Sequence, residues 1–225
     1  MKKSIKVALI TFLTLCIIFF SLNGLGIIKI YKNQTRANEP NIKANSYLLL
    51  SNFASPKSGD FISYTYEEPF IGSHTRIHRL VAQEGDTLQI TNGILYVNSK
   101  KADENRELAY TYELSLEEYK ALKEPEAVKE KWTTDFIGGI VVRMAIPDKT
   151  VKKHKLKAKQ AMETEGSPSP AVKAYYKKDW NEDFFGPFVV PKGTVFVLGD
   201  NRSNSEDSRH IGPIKTEDIK GVLLF

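Results

Sequence analysis

Val195-Phe196-Val197-Leu198-Gly199-Asp200-Asn201-Arg202-Ser203-Asn204-Ser205-Glu206-Asp207-Ser208-Arg209 changes character abruptly at its fifth residue. The four apolar residues read as a buried strand. Gly199 then lets the backbone bend, and Asp200 and Asn201 suit turn geometry. Beyond the turn, Asp207 and Arg209 stand two apart on one side of an extended segment, where they can form a charge-assisted pair. Ser203, Ser205 and Ser208 add hydroxyls nearby. Two readings stay open on these residues alone: a site at a strand end that positions something, and an ordinary hydrophilic loop.

Upstream, the chain reads as a succession of short strands. Tyr47 to Leu50 is one, and Phe61 to Tyr66 alternates with the strand period. Arg76 to Ala82 and Thr87 to Ile90 follow, and Asn92-Gly93 between Ile90 and Ile94 is a two-residue hairpin signal. The stretch between this group and the final strands differs. Ser115-Leu116-Glu117-Glu118 has the pattern of a capping box opening a short helix toward Leu122, Pro125 interrupts, and a second helical stretch is expected to run to Lys131. Lys149 to Lys159 holds six lysines, and those from Lys153 onward alternate so that they would share one face of a strand, either as a solvated edge that resists sheet-to-sheet pairing or as a contact for anionic lipid headgroups. The fold class expected is mainly β, with a partly helical insertion.

The front of the chain is an appendage. Val7 to Leu22 is an uninterrupted run of apolar and small hydroxyl residues that continues from Leu25 to Ile28, about the 20 residues a helix needs to cross a bilayer core. Lys2, Lys3 and Lys6 precede it and hold the N-terminus on the cytoplasmic side, against a weaker opposing signal from Lys29, Lys32 and Arg36. No small-x-small cleavage site follows the run, which favours an uncleaved anchor over a leader. The single cysteine, Cys16, lies within the anchor, so the remainder of the chain has no disulfide to hold it together. The chain's net charge of +5 is modest, and a domain outside the membrane gives no reason to expect a nucleic-acid partner. His74 and His78 lie four apart in an expected strand, about 13 Å along it, which is too far to share a metal ion.

The closing segment resembles the last motif of the type I signal peptidases, GDNR-x-x-S-x-D-S-R, at every specified position. Gly59-Asp60-Phe61-Ile62 is similar to that family's GD-plus-apolar strand, and His78-Arg79-Leu80-Val81-Ala82-Gln83-Glu84-Gly85-Asp86 to its K-R-V-x-G-x-P-G-D segment. The likeness spans residues 35–98 and 186–225. It implies a signal-peptidase-like β core on an N-terminal transmembrane helix, with an inserted variable lobe. The corresponding divisions are a cytoplasmic N-terminus 1–6, an anchor 7–30, the first part of the core 31–98, the lobe 99–185 and the last part of the core 186–225. It also implies a single-pass protein of the plasma or inner membrane with its main domain outside the cytoplasm. Exported preproteins or their signal peptides and the lipid bilayer are the partners implied, with no cofactor and no metal.

A serine peptidase needs a nucleophile, a base and donors for the oxyanion. The resemblance places these on Thr35-Arg36-Ala37-Asn38-Glu39-Pro40-Asn41, which occupies the slot of the family's S-x-S-M-x-P-T segment. Thr35 falls at the oxyanion hydroxyl, Ala37 at the nucleophile and His78 at the lysine base. Ser205 falls at the hydroxyl that orients the base, with Gly199, Asp200, Asn201, Arg202, Asp207, Ser208 and Arg209 in structural support. A methyl group cannot attack a carbonyl, while histidine is a chemically sound base without any large shift of its pKa. Ser46, Ser51 and Thr35 are the hydroxyls nearest to a rescue, each out of register. The sequence therefore carries two functional readings. One is a leader peptidase with an unrecognised nucleophile, and the other is a non-catalytic relative that binds extended peptides or partner proteins at the outer membrane surface.

Overall fold

A computed structural model describes residues 2–122, 131–136 and 139–224. It opens with helix α1, Lys2–Gly24, which is long and apolar enough to cross a membrane and packs none of its length into the protein interior. The helix stops at Gly24, short of the end of the expected span, because Gly26 takes a positive φ of 71° and Ile28 already begins a strand.

The rest is mainly β. Strands β1 (Ile28–Lys32), β2 (Tyr47–Ser51), β3 (Phe61–Glu68) and β4 (Gly72–Gln83) come first, followed by β5 (Thr87–Thr91), β6 (Ile94–Val97) and β7 (Lys100–Lys101). Next are β8 (Ala109–Ser115), β9 (Lys131–Phe136), β10 (Gly139–Pro147) and β11 (Lys159–Gln160). The chain closes with β12 (Phe185–Val189), β13 (Thr194–Leu198), β14 (Ile214–Lys215) and β15 (Ile219–Leu223). One seven-stranded sheet has the order β1-β2-β15-β3-β4-β13-β14, and two four-stranded sheets have the orders β12-β5-β6-β7 and β11-β8-β10-β9.

Strand β13 is apolar without alternation because it is covered on both faces. Val195 and Val197 pack with Ile62, Tyr64 and Leu80, while Phe196 and Leu198 pack with Leu88, Phe185 and Val172 on the other side. The Asn92-Gly93 turn joins β5 to β6 with φ of 50° and 73°, the positive pair that a two-residue hairpin needs. Ser115 caps the short helix Leu116–Ala121 through a reciprocal box with Glu118, as its spacing suggests. The second helical stretch expected after Pro125 lies outside the described residues.

The lysine run is not a strand. Asp148–Lys153 is a helix whose first turn carries Asp148 and whose last carries Lys152 and Lys153, an arrangement that suits the helix dipole. Only Lys159–Gln160 pairs as β11.

Register positions the site. Strand β13 covers β4 only from Arg79 to Gln83, so β4 before Arg79 has β3 on one edge and no strand on the other. The turn after Leu198 opens at this point, beside His78 and Arg79.

Candidate active site

The Gly199–Arg209 segment is a buried hydrogen-bonded knot. Asp207 is fully buried and accepts from Arg209 Nε at 2.9 Å, Arg209 Nη2 at 2.8 Å and the Gly199 N–H at 3.0 Å. Burial opposes ionisation of Asp207, but the Arg209 guanidinium outweighs it and holds the carboxyl well below the usual range. Arg209 also donates to the Arg202 carbonyl at 2.7 Å, Arg202 reaches Asp103 at 2.6 Å, and the Val197 N–H donates to Ser208 Oγ at 3.0 Å. Asp200, likewise buried, takes Asn41 Nδ2 at 2.6 Å and both Nε and Nη2 of Arg79. The knot ties distant parts of the chain together: Ala109 exchanges backbone bonds with Asp200 and Arg202, and the Asn201 N–H donates to the Ala37 carbonyl at 2.9 Å. A Cβ at Gly199 would collide with the Ser205 hydroxyl and that same Ala37 carbonyl, so only glycine fits.

Ala37 lies in the turn that begins at Arg36, with 8% of its surface exposed. It and His78 line one cleft of about 550 Å³, together with Tyr31, Thr35, Arg36 and Arg76. The turn is held against β4 by Asn38, whose Nδ2 donates to the Ile77 carbonyl at 2.7 Å. The asparagines at 38 and 41, which the resemblance marks as departures, are thus cross-links: one to β4, the other to Asp200 and the Glu107 carbonyl.

His78 is 4% exposed, and its Nδ1 lies 2.8 Å from the Tyr64 hydroxyl. Burial pushes its pKa down to about 4, with the negative charge of Asp207 a smaller opposing influence. The ring is therefore neutral at neutral pH. Tyr64 is the partner that sequence reading missed. Ile62, Tyr64 and Tyr66 sit opposite His78, Arg76 and His74, so Tyr64 and His78 share a face as diagonal neighbours. The alternation of β3 was readable; its register against β4 was not.

Ser205 is placed differently from the expectation. Its Oγ makes no hydrogen bond to His78 or to any other described group, and it lines a separate cavity of about 380 Å³ with Arg202, Glu182 and His210. Thr35 does border the Ala37 cleft, its hydroxyl 3.4 Å from Asn33 Oδ1. Ser46 and Ser51 do not border it: Ser46 Oγ donates to the Lys43 carbonyl, and Ser51 Oγ accepts from the Phe53 N–H. At the rim, Arg76 bridges Glu68 and Glu206 at 2.9 Å each and lies over the Tyr66 ring. No cluster of three metal-binding side chains occurs among the described residues.

The profile of the family described as "Signal peptidase, peptidase S26" matches residues 4–225. The chain belongs to this signal peptidase family. Its members remove leader peptides from exported preproteins and are anchored in membranes, and α1 supplies an apolar helix of the right kind. A similar relative is the signal peptidase I of Aquifex aeolicus, 28% identical over 211 residues that cover 87% of this chain and 73% of the relative. The signal peptidase I of Streptococcus pneumoniae is 27% identical over 155 residues, covering 68% of this chain and 61% of the relative. A shorter match to signal peptidase I V of Bacillus subtilis reaches 55% identity over 42 residues, 19% of this chain and 25% of the relative. The crystal structure of a signal peptidase I from Enterococcus faecalis aligns over 76% of this chain and 97% of its own at 20% identity, with a TM-score of 0.37.

Proposed function

We propose that this signal peptidase relative holds the leader segment of exported preproteins in the Ala37–His78 cleft and does not hydrolyse it. The observation that carries this reading is that Ala37, whose side chain is only a methyl, lines the same cleft as His78. Acyl transfer begins with attack by an oxygen or sulfur, and no geometry makes a methyl group do so. The hydroxyls that do line the cleft stand elsewhere, Thr35 two residues before Ala37 and Tyr31 and Thr75 on β1 and β4, and about 1 Å of misplacement costs a hundredfold in rate.

Recognition needs less than catalysis. The β4 edge before Arg79 has no strand neighbour on that side among the described residues, and its Thr75 and Ile77 carbonyls, which already accept from Tyr31 Oη and Asn38 Nδ2, each keep a second lone pair for an extended peptide added there, with the cleft taking alternate side chains. Lys2, Lys3 and Lys6, in the first turns of α1, favour a cytoplasmic N-terminus, which would leave the β domain outside, where leader segments emerge.

Fluorescence anisotropy of a labelled leader peptide on the detergent-solubilised full chain tests the reading. Saturable binding is expected, weakened at least about tenfold, or ~1.4 kcal/mol, when Ala37→Trp fills the cleft. Absent binding, or binding indifferent to that substitution, contradicts it.

A further inference from the structure

We propose that Tyr64 locks His78 in the tautomer with its proton on Nε2, so that the ring presents a hydrogen-bond donor to the cleft and not a base. Tyr64 is completely buried in β3, and among the described residues its hydroxyl has one partner, His78 Nδ1, at 2.8 Å. Burial drives the ionisation of this phenol far above its ordinary range, so the hydroxyl keeps its proton at every physiological pH. That proton needs an acceptor. If Nδ1 carried its own hydrogen it could donate to the phenol oxygen, but the phenol proton would then have no acceptor in buried surroundings. Such an arrangement is disfavoured by roughly tenfold or more. The phenol therefore donates, Nδ1 accepts, and the single proton of the neutral ring sits on Nε2.

The other ring nitrogen has no partner among the described residues and is not sealed off, and the residue lines the Ala37 cleft. The charges that bear on the ring come from two directions: Arg76 from β4 itself, and Asp200, Asp207 and Arg209 from the segment after β13. Burial outweighs them and keeps the ring uncharged. A neutral imidazole with Nε2–H has no lone pair to offer a nucleophile in the cleft. It is, however, matched to a peptide carbonyl. Tyr64 is thus a positioning residue that acts through His78, and the site departs from a peptidase at its base as well as at its nucleophile.

The assignment bears on the peptide-binding reading, but the tautomer can be measured without any peptide. The full chain in detergent, labelled with 15N-histidine, has four imidazoles to resolve, and His78→Gln identifies the one of interest. At neutral pH, long-range 1H–15N correlation is expected to show Nδ1 unprotonated and Nε2 protonated. Tyr64→Phe is expected to shift the Nδ1 resonance by removing its donor. A protonated Nδ1, or an Nδ1 signal unmoved by Tyr64→Phe, overturns the proposal. In the anisotropy assay, His78→Leu is expected to weaken leader-peptide binding by about tenfold, and His78→Gln, which keeps a donor, to restore most of it. Equal binding by the two variants overturns the donor role. Failure of the natural chain to bind peptide at all would sink the proposed function while leaving the tautomer result intact.

Discussion

Arg79 grips Asp200 with two parallel hydrogen bonds, Nε to Oδ1 at 2.7 Å and Nη2 to Oδ2 at 2.5 Å, and so couples β4 to the turn that follows β13. The carboxylate is fully buried and the guanidinium side chain 13% exposed, with its other face against the Phe61 ring at 3.9 Å. The planar fork matters because a lysine at 79 could satisfy only part of this geometry.

Removing the cation alone leaves a buried charge without its partner. Arg79→Ala is expected to destabilise the protein by about 3–5 kcal/mol. Arg79→Lys should cost less than Ala but remain measurable. Urea unfolding of the detergent-solubilised chain, followed by tryptophan fluorescence, gives both values, and a loss under about 1 kcal/mol for Arg79→Ala would show that the pair does not hold the turn.

The buried neutral His78 makes stability depend on acid. Its folded pKa of about 4 lies below the 6.5 of a free imidazole. Above pH 6.5 both folded and unfolded rings are neutral, and the contribution is complete. As the pH falls from there, the unfolded chain takes up the proton first, so stability declines until the folded ring also titrates near pH 4. The span corresponds to about 3 kcal/mol. Melting temperatures measured across this window should fall more steeply for the natural chain than for His78→Gln. Identical slopes would mean that the folded ring takes up its proton as readily as the unfolded one.

Ser205 gives a test in the opposite direction. Its buried hydroxyl has no hydrogen-bond partner, so Ser205→Ala should leave stability within about 0.5 kcal/mol or raise it. A serine that oriented the base would behave otherwise, and its loss would shift the His78 titration. Gly199→Ala should be severe, and Ser205→Gly should not rescue it, because the second obstacle is the backbone carbonyl of Ala37. Thermal unfolding of the two single variants and the double variant resolves these effects.

Much of this architecture was legible from local chemistry. The continuous apolar run of β13, the Asn92-Gly93 turn and the Ser115 capping box each depend on neighbours within a few residues, and each appears where its spacing put it; Asp207 and Arg209 also pair, but with Asp207 capping the short helix Ser208–Ile211 and not along the extended segment expected. What escaped sequence reading depends on register or on tertiary contact. Tyr64 meets His78 only because β3 and β4 pair as they do, and Ser205, packed against Gly199, lines a different cavity. The lysine run misled for a related reason: its first half, with Asp148 at the start and Lys152 and Lys153 at the end, fits a short helix, and of the alternating half only Lys159 finds a strand partner.

The missing attack group is tested most directly by mass spectrometry of a leader-bearing preprotein incubated with the natural full chain, with Ala37→Ser, and with Ala37→Ser combined with His78→Lys. No cleavage by the natural chain is expected, and product should appear first in the doubly restored variant. Efficient cleavage by the natural chain, abolished by Thr35→Ala, would contradict the reading of this cleft as one that holds and does not cut.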